Sequence, residues 1–168
     1  GSTSRSVVAS AATTPPFLLG GSDYYQDIPG RPLLYATSGA QTFGAVQIVI
    51  ENFEVTLDGV PVTGYELVSA SPETPDAPVG QFGEWINWSS DQPLTLIDHR
   101  PLVSSGGGCT IPLSGDGTTN VWCSPALSGT QSAFGAILSA PSATRISGSL
   151  YMSSRGEREA LGFGIRTA

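Results

Sequence analysis

From Phe17 onward the apolar residues come in short runs, each broken by Gly, Pro, Asn, Asp or Ser at a spacing of roughly eight to twelve residues. No stretch keeps a helical period beyond two turns, and no internal repeat stands out. That punctuation constrains the fold most: it predicts an all-β chain, an antiparallel β-sandwich of lectin-like or jelly-roll-like kind. The 168 residues suffice for one such domain with a real core.

The clearest strand signal is GAVQIVIENFEVTL, Gly44 to Leu57. Val46, Ile48 and Ile50 share one parity, whereas Phe53, Val55 and Leu57 share the other. A regular strand cannot bury both sets, so a β-bulge is expected near Glu51–Asn52. Asp58–Gly59 then reads as a two-residue turn of the kind that takes positive φ. A return strand follows over Val60–Ala70, with Pro61 at its edge. Further strands are expected at Arg31–Thr37, Gly83–Ser89, Leu94–Asp98, Cys109–Leu113, Thr119–Ser124, Gln131–Ser139, Arg145–Ser153 and Ala160–Arg166.

Residues 1–16 read as an expression scar (Gly1–Ser2) followed by a small, polar, Pro-terminated linker, which leaves 17–168 as the single domain. Ser71 to Gln81 carries Pro72, Pro75 and Pro78 and reads as a stiff exposed loop.

Charge narrows the function. Charged residues make up 12% of the chain, against roughly a quarter in an average soluble protein. The net charge is −7, and all seven basic residues are arginines. A polyanion such as DNA or RNA is therefore not an expected partner. The absence of lysine excludes a Schiff base, a phosphate-loop lysine and a lysine isopeptide cross-link. One histidine, His99, excludes a metal site of two imidazoles within the chain. No apolar run has the length of a membrane span, so no membrane insertion is expected.

Cys109 and Cys123 flank TIPLSGDGTTNVW, whose Gly115–Gly117 turn brings the two arms together. A disulfide is expected, worth roughly 3 kcal/mol on the chain-entropy model; two buried free thiols are the alternative. A disulfide in a Ser/Thr-rich chain of low charge points to an oxidising, extracellular setting.

Few residues offer chemistry. His99 sits in Asp98-His99-Arg100-Pro101, but strand neighbours point to opposite faces and no GxSxG elbow supplies a serine, so it reads as structural. Glu51, Glu54, Glu66, Glu73, Glu84 and Asp91 could form a glycosidase pair, yet nothing marks two of them. Ser114–Asn120 is rich in oxygen ligands but reads as a hairpin turn, because it lacks the twelve-residue calcium-loop pattern. No metal, cofactor or catalytic residue is assigned, and the chain reads as non-enzymatic.

Binding is the better prospect. Gly20–Asp27 places Tyr24 and Tyr25 between Asp23 and Asp27 in a glycine-flanked segment, a combination able to stack on sugar rings and bond their hydroxyls. Glu73 and Asp76 on the proline loop complete the expected ligand-binding set. Trp85 and Trp88 have opposite parity, so one belongs in the core and the other outside; the sequence leaves open which. Asn87-Trp88-Ser89 fits the glycosylation sequon.

The ordered series AVQIVIENFEVTLDG, PVTGYELVSASPET, WSSDQPLTLI, GGGCTIPLSGDGTTNVWC and RGEREALGFGI resembles the C-terminal half of the non-repetitive, ligand-binding region of CshA-type fibrillar surface adhesins of Gram-positive bacteria and related actinobacterial modules. The resemblance runs from about Phe43 to Ile165. It implies a lectin-like sandwich on a cell-wall-anchored stalk, adhering to a host extracellular-matrix glycoprotein such as fibronectin, or to a glycan. Two alternatives belong to other classes: a stalk domain that binds nothing, and the receptor-binding head of a viral or phage fibre.

Overall fold

The computed structural model describes residues 7–10, 33–37, 44–70, 85–101, 109, 111–124, 134–152 and 158–167. Among them all regular secondary structure is β, and every pairing is antiparallel. The strands are β1 (Val7–Ser10), β2 (Leu33–Thr37), β3 (Gly44–Glu51), β4 (Thr56–Leu57), β5 (Val60–Pro61), β6 (Tyr65–Ala70), β7 (Trp85–Pro101), β8 (Thr118–Cys123), β9 (Phe134–Pro141), β10 (Arg145–Met152) and β11 (Arg158–Thr167). The main ladder runs β1-β2-β11-β6-β9-β7-β10-β3, with β8 also paired to β7; β4 and β5 form a separate hairpin. β1 lies inside the segment expected as linker and pairs Val7 with Ala36 of β2.

The 17-residue strand β7 turns the ladder over. Ile86–Ser89 pair with β8 and Trp85–Ser90 with β10, whereas Thr95–Pro101 pair with β9. Between these halves the register with β8 shifts from Ser89 to Leu94, where Pro93 has no amide hydrogen to offer a partner. The sequence predicts two strands separated by this Ser-Asp-Gln-Pro turn signal. The chain instead runs through the corner as one strand, so that the sheet curls into a nearly closed, barrel-like form.

Asp91 fixes that corner. Its carboxylate accepts hydrogen bonds from the Thr144 N–H (3.0 Å), the Thr144 hydroxyl (2.6 Å) and the Arg145 N–H (3.2 Å) at the start of β10. Partial burial opposes its ionisation, but these hydrogen bonds outweigh that and hold the carboxyl below its ordinary value.

The interior is apolar and closely packed. Leu67, Ile86, Trp88, Leu94, Leu138, Ile146, Leu150 and Leu161 are its largest fully buried side chains. Each contributes on the order of 1.5–3 kcal/mol by leaving water. The two halves of the ladder meet through them. Trp88 of β7 donates its indole N–H to Ser69 Oγ of β6. Gly148 of β10 sits so close to Leu161 of β11 that a Cβ there would lie 2.9 Å from a Leu161 methyl. β6 and β9 are buried on both faces, since Val68, Ala70, Ile137 and Ser139 on the side away from the core are buried as well. Ser139 Oγ has no hydrogen-bond partner there.

The parity switch near Asn52 is resolved without a bulge. β3 ends at Glu51, Asn52 takes a φ of 57°, and its N–H bonds to the Thr144 carbonyl. An asparagine tolerates that left-handed conformation because its short side chain bonds locally. Phe53 then reaches the core beyond the break, but Leu57 remains 64% exposed. Asp58 and Gly59 form the expected turn with φ of 52° and 79°. Gly64, with φ of 79°, divides the expected return strand into β5 and β6. The expected Cys109–Leu113 strand is reduced, among the described residues, to local bridges such as Ser114 to Trp122.

Candidate functional site

The outer face of β3, β10, β7 and β8 carries the most suggestive arrangement. Strand alternation sends Ile86, Trp88 and Ser90 inward with Ile146, Gly148, Leu150, Val121 and Cys123. The intervening residues therefore share the outer face, and the register places them in levels. Ala45, Tyr151 and Trp85 lie at one level. Gln47, Ser149, Asn87 and Trp122 lie at the next. Val49, Ser147, Ser89 and Asn120 lie below them.

None of these eleven side chains is charged. The first ionic groups on β3 and β10 are Glu51 and Arg145 beyond them, which approach each other to 3.7 Å.

Three rings dominate the face. Trp85 stands between Tyr151 and Trp122. It stacks on Tyr151 with centroids 5.1 Å apart and planes 5° from parallel, and meets Trp122 at 5.0 Å and 43°. Offset stacking and tilted contact both suit the ring quadrupoles. Trp85 and Tyr151 are half-buried, whereas Trp122 is 41% exposed on β8. This decides the question left open by parity: Trp88 is the core tryptophan and Trp85 the outer one.

Amides lie beside the rings. Asn87 Nδ2 donates to Asn120 Oδ1 at 2.6 Å and to the Val121 carbonyl at 3.4 Å. The sequon asparagine is thus a buried strand residue with its amide engaged, not a projecting acceptor. Asn120 is exposed, and its own amide nitrogen points no hydrogen bond at a described residue.

The disulfide expected from the sequence is present. Cys109 and Cys123 are joined, with their α-carbons 4.8 Å apart. Both sulfurs are buried in the core cluster. The bridge anchors β8, whose next residue inward from Cys123 is Trp122 on the opposite face.

The hairpin Ser114–Asn120 directs its oxygens at itself and at β7. Asp116 Oδ1 accepts from the Leu96 N–H at 2.8 Å, and Thr118 Oγ1 donates to the Gly115 carbonyl at 2.7 Å. Among the described residues no group of three His, Cys, Asp or Glu side chains is placed to hold a metal. Three of the described carboxylates weighed as acid–base pairs have other partners: Glu66 pairs with Arg166, Glu51 with Arg145, and Asp91 with Thr144. Asp23, Tyr24, Tyr25, Asp27, Glu73 and Asp76, the expected binding set, all lie outside the described residues, as does the His99 side chain.

The aromatic face escapes a linear reading, because its rings come from three strands far apart in the chain. One signal does exist. Trp122 lies between Val121 and Cys123, so a chain that buries those two must present Trp122 on the other face. Among the described residues no helix is long and apolar enough to cross a membrane. Comparison with family models, with curated proteins and with solved structures finds no match to this chain.

Proposed function

We propose that the chain is an extracellular adhesion module of a bacterial surface protein, attached to the cell wall and binding a glycoprotein or glycan of a host or partner cell. The observation that carries this reading is the uncharged outer face on which Tyr151, Trp85 and Trp122 stand beside the exposed amides of Gln47 and Asn120 and the half-buried hydroxyls of Ser89 and Ser149. Aromatic faces with a few placed polar groups are the usual lining of a small-ligand site. The buried disulfide supports an oxidising compartment. The resemblance to CshA-type adhesins supports the surface setting, and a fibronectin-like matrix glycoprotein is a partner of the right kind.

The finer reading of the fold is a lectin-like or jelly-roll-like sandwich. Contact between the two halves of the ladder through Trp88–Ser69 and Gly148–Leu161 supports it. On this reading the module performs no catalytic step and takes no cofactor. Its rigid strands hold the binding groups in fixed register, with Asp23, Tyr24, Tyr25, Asp27, Glu73 and Asp76 as a second candidate surface.

The test is adhesion of the purified chain to immobilised fibronectin and to a glycan array. Wild type, Trp122→Ala, Tyr24→Ala and Tyr25→Ala are compared. Binding that Trp122→Ala weakens supports the outer face, and binding lost only in the tyrosine variants moves the site to their segment. No binding to any surface removes the adhesion reading in favour of a stalk.

A further inference from the structure

We infer that the outer face takes an uncharged pyranose, stacked on the open side of Trp122 and hydrogen-bonded by the Asn120 amide. The inference rests on the adhesion reading and names its ligand class.

Trp122 is the ring of the three with the most surface to offer. Trp85 is already covered on one side by Tyr151 and on the other by Trp122. It acts as a buttress, holding Trp122 at a fixed tilt on β8, which pairs with β7 on one side and is bridged by Ser114 at Trp122 on the other. A ring held in this way loses little freedom on binding, which favours affinity. The C–H face of a pyranose is apolar and its rim carries hydroxyls. A flat indole bordered by amides complements both parts.

Asn120 supplies the polar border. It lies two residues from Trp122 on the same face of β8, and its oxygen is held by Asn87 Nδ2. That bond orients the Asn120 amide so that its nitrogen is left as a donor for a sugar hydroxyl. Asn87 is a positioning residue: it is buried and acts through Asn120.

Charge selects the class of sugar. The face carries no cation among the eleven side chains at its three levels, and Arg145 at its far end is drawn to Glu51. The whole chain bears −7. A sialylated, sulfated or uronate-bearing glycan would find no counter-ion among these described side chains and would meet the repulsive field of the chain's net negative charge. A neutral hexose or N-acetylhexosamine chain meets neither difficulty.

The experiment titrates the full chain with soluble tetrasaccharides, followed by tryptophan fluorescence and calorimetry. The neutral probes are gluco-, galacto-, manno- and N-acetylglucosamine tetraoses; the acidic ones are matched sialylated and sulfated forms. The inference expects at least one neutral probe to bind, with an affinity unchanged by added salt. Trp122→Ala should weaken it by about tenfold or more, as for other aromatic anchors, and Trp122→Phe should restore part of the loss. Asn120→Ala should weaken it with the fold intact.

Binding confined to acidic probes, or neutral binding that survives Trp122→Ala, overturns the inference. So does the absence of any neutral binding. In each of these cases, wild-type adhesion to fibronectin or to acidic glycans leaves the adhesion reading standing; failure on every surface removes both.

Discussion

Trp88 and Ser69 belong to different halves of the curled ladder, and the Trp88 indole N–H donates to Ser69 Oγ at 3.1 Å inside the core. Ser69 passes its own proton donation on to the Gly162 carbonyl of β11 at 2.8 Å. Three strands are thereby joined through two buried polar groups, neither of which has water to turn to.

Ser69→Ala should therefore destabilise the fold by about 1–3 kcal/mol, because it strands the indole N–H in an apolar site. Trp88→Phe costs more through lost packing, but the double variant should be more stable than the sum of the two predicts. Urea denaturation of the four proteins measures this coupling, expected at about 0.5 kcal/mol or more.

Gly148 marks the closest approach of β10 to β11. A methyl added there meets the Leu161 side chain at 2.9 and 3.1 Å, and Leu161 is fully buried. Gly148→Ala should cost roughly 1–3 kcal/mol by overpacking. Leu161→Val in the same chain should relieve part of that cost, which thermal unfolding of single and double variants will show.

Asp91 makes stability depend on acid. Partial burial opposes its charge, but the bonds from Thr144 and Arg145 win, so its folded value lies below the unfolded one. The unfolded chain then binds more protons in the interval between the two. The stabilisation is complete above the unfolded value of about 3.9 and is lost as pH falls through the folded value. Asp91→Asn should lower the unfolding midpoint at neutral pH, and its difference from wild type should shrink as the pH falls through the folded value and the wild-type carboxyl becomes neutral. A difference that stays constant across this range would show that the carboxylate charge is not what holds the corner.

The Cys109–Cys123 bridge closes a loop of sequence separation 14. Replacing both cysteines by serine should cost about 2–4 kcal/mol. Because Cys123 is the last residue of β8 and adjoins Trp122, the same variant should also weaken any binding that depends on Trp122. Denaturation and binding of the one variant test both effects.

Much of the fold is legible from local chemistry. The Asp58–Gly59 turn, the two cysteines flanking Gly115–Gly117, and the strands over Arg145 and Thr119 all announce themselves by alternation and turn residues. Ser90–Pro93 misleads, because those residues carry turn chemistry yet lie at a corner where a strand changes partners. Asn52 misleads in the other direction: a parity change can be absorbed by ending the strand as well as by bulging it. The aromatic face is hidden for a different reason. Tyr151, Trp85 and Trp122 meet only through the register of three strands, and register depends on long-range pairing that no local pattern contains.

The central claim is that Trp122, buttressed by Trp85, receives a neutral sugar while Trp88 remains sealed inside. The three tryptophan indole N–H resonances, followed by proton–nitrogen NMR during titration with a binding neutral tetrasaccharide, test it most directly. The account predicts that the Trp122 signal shifts most, Trp85 less, and Trp88 stays in place. A Trp122 signal unmoved at saturation would contradict it, whatever the other two do.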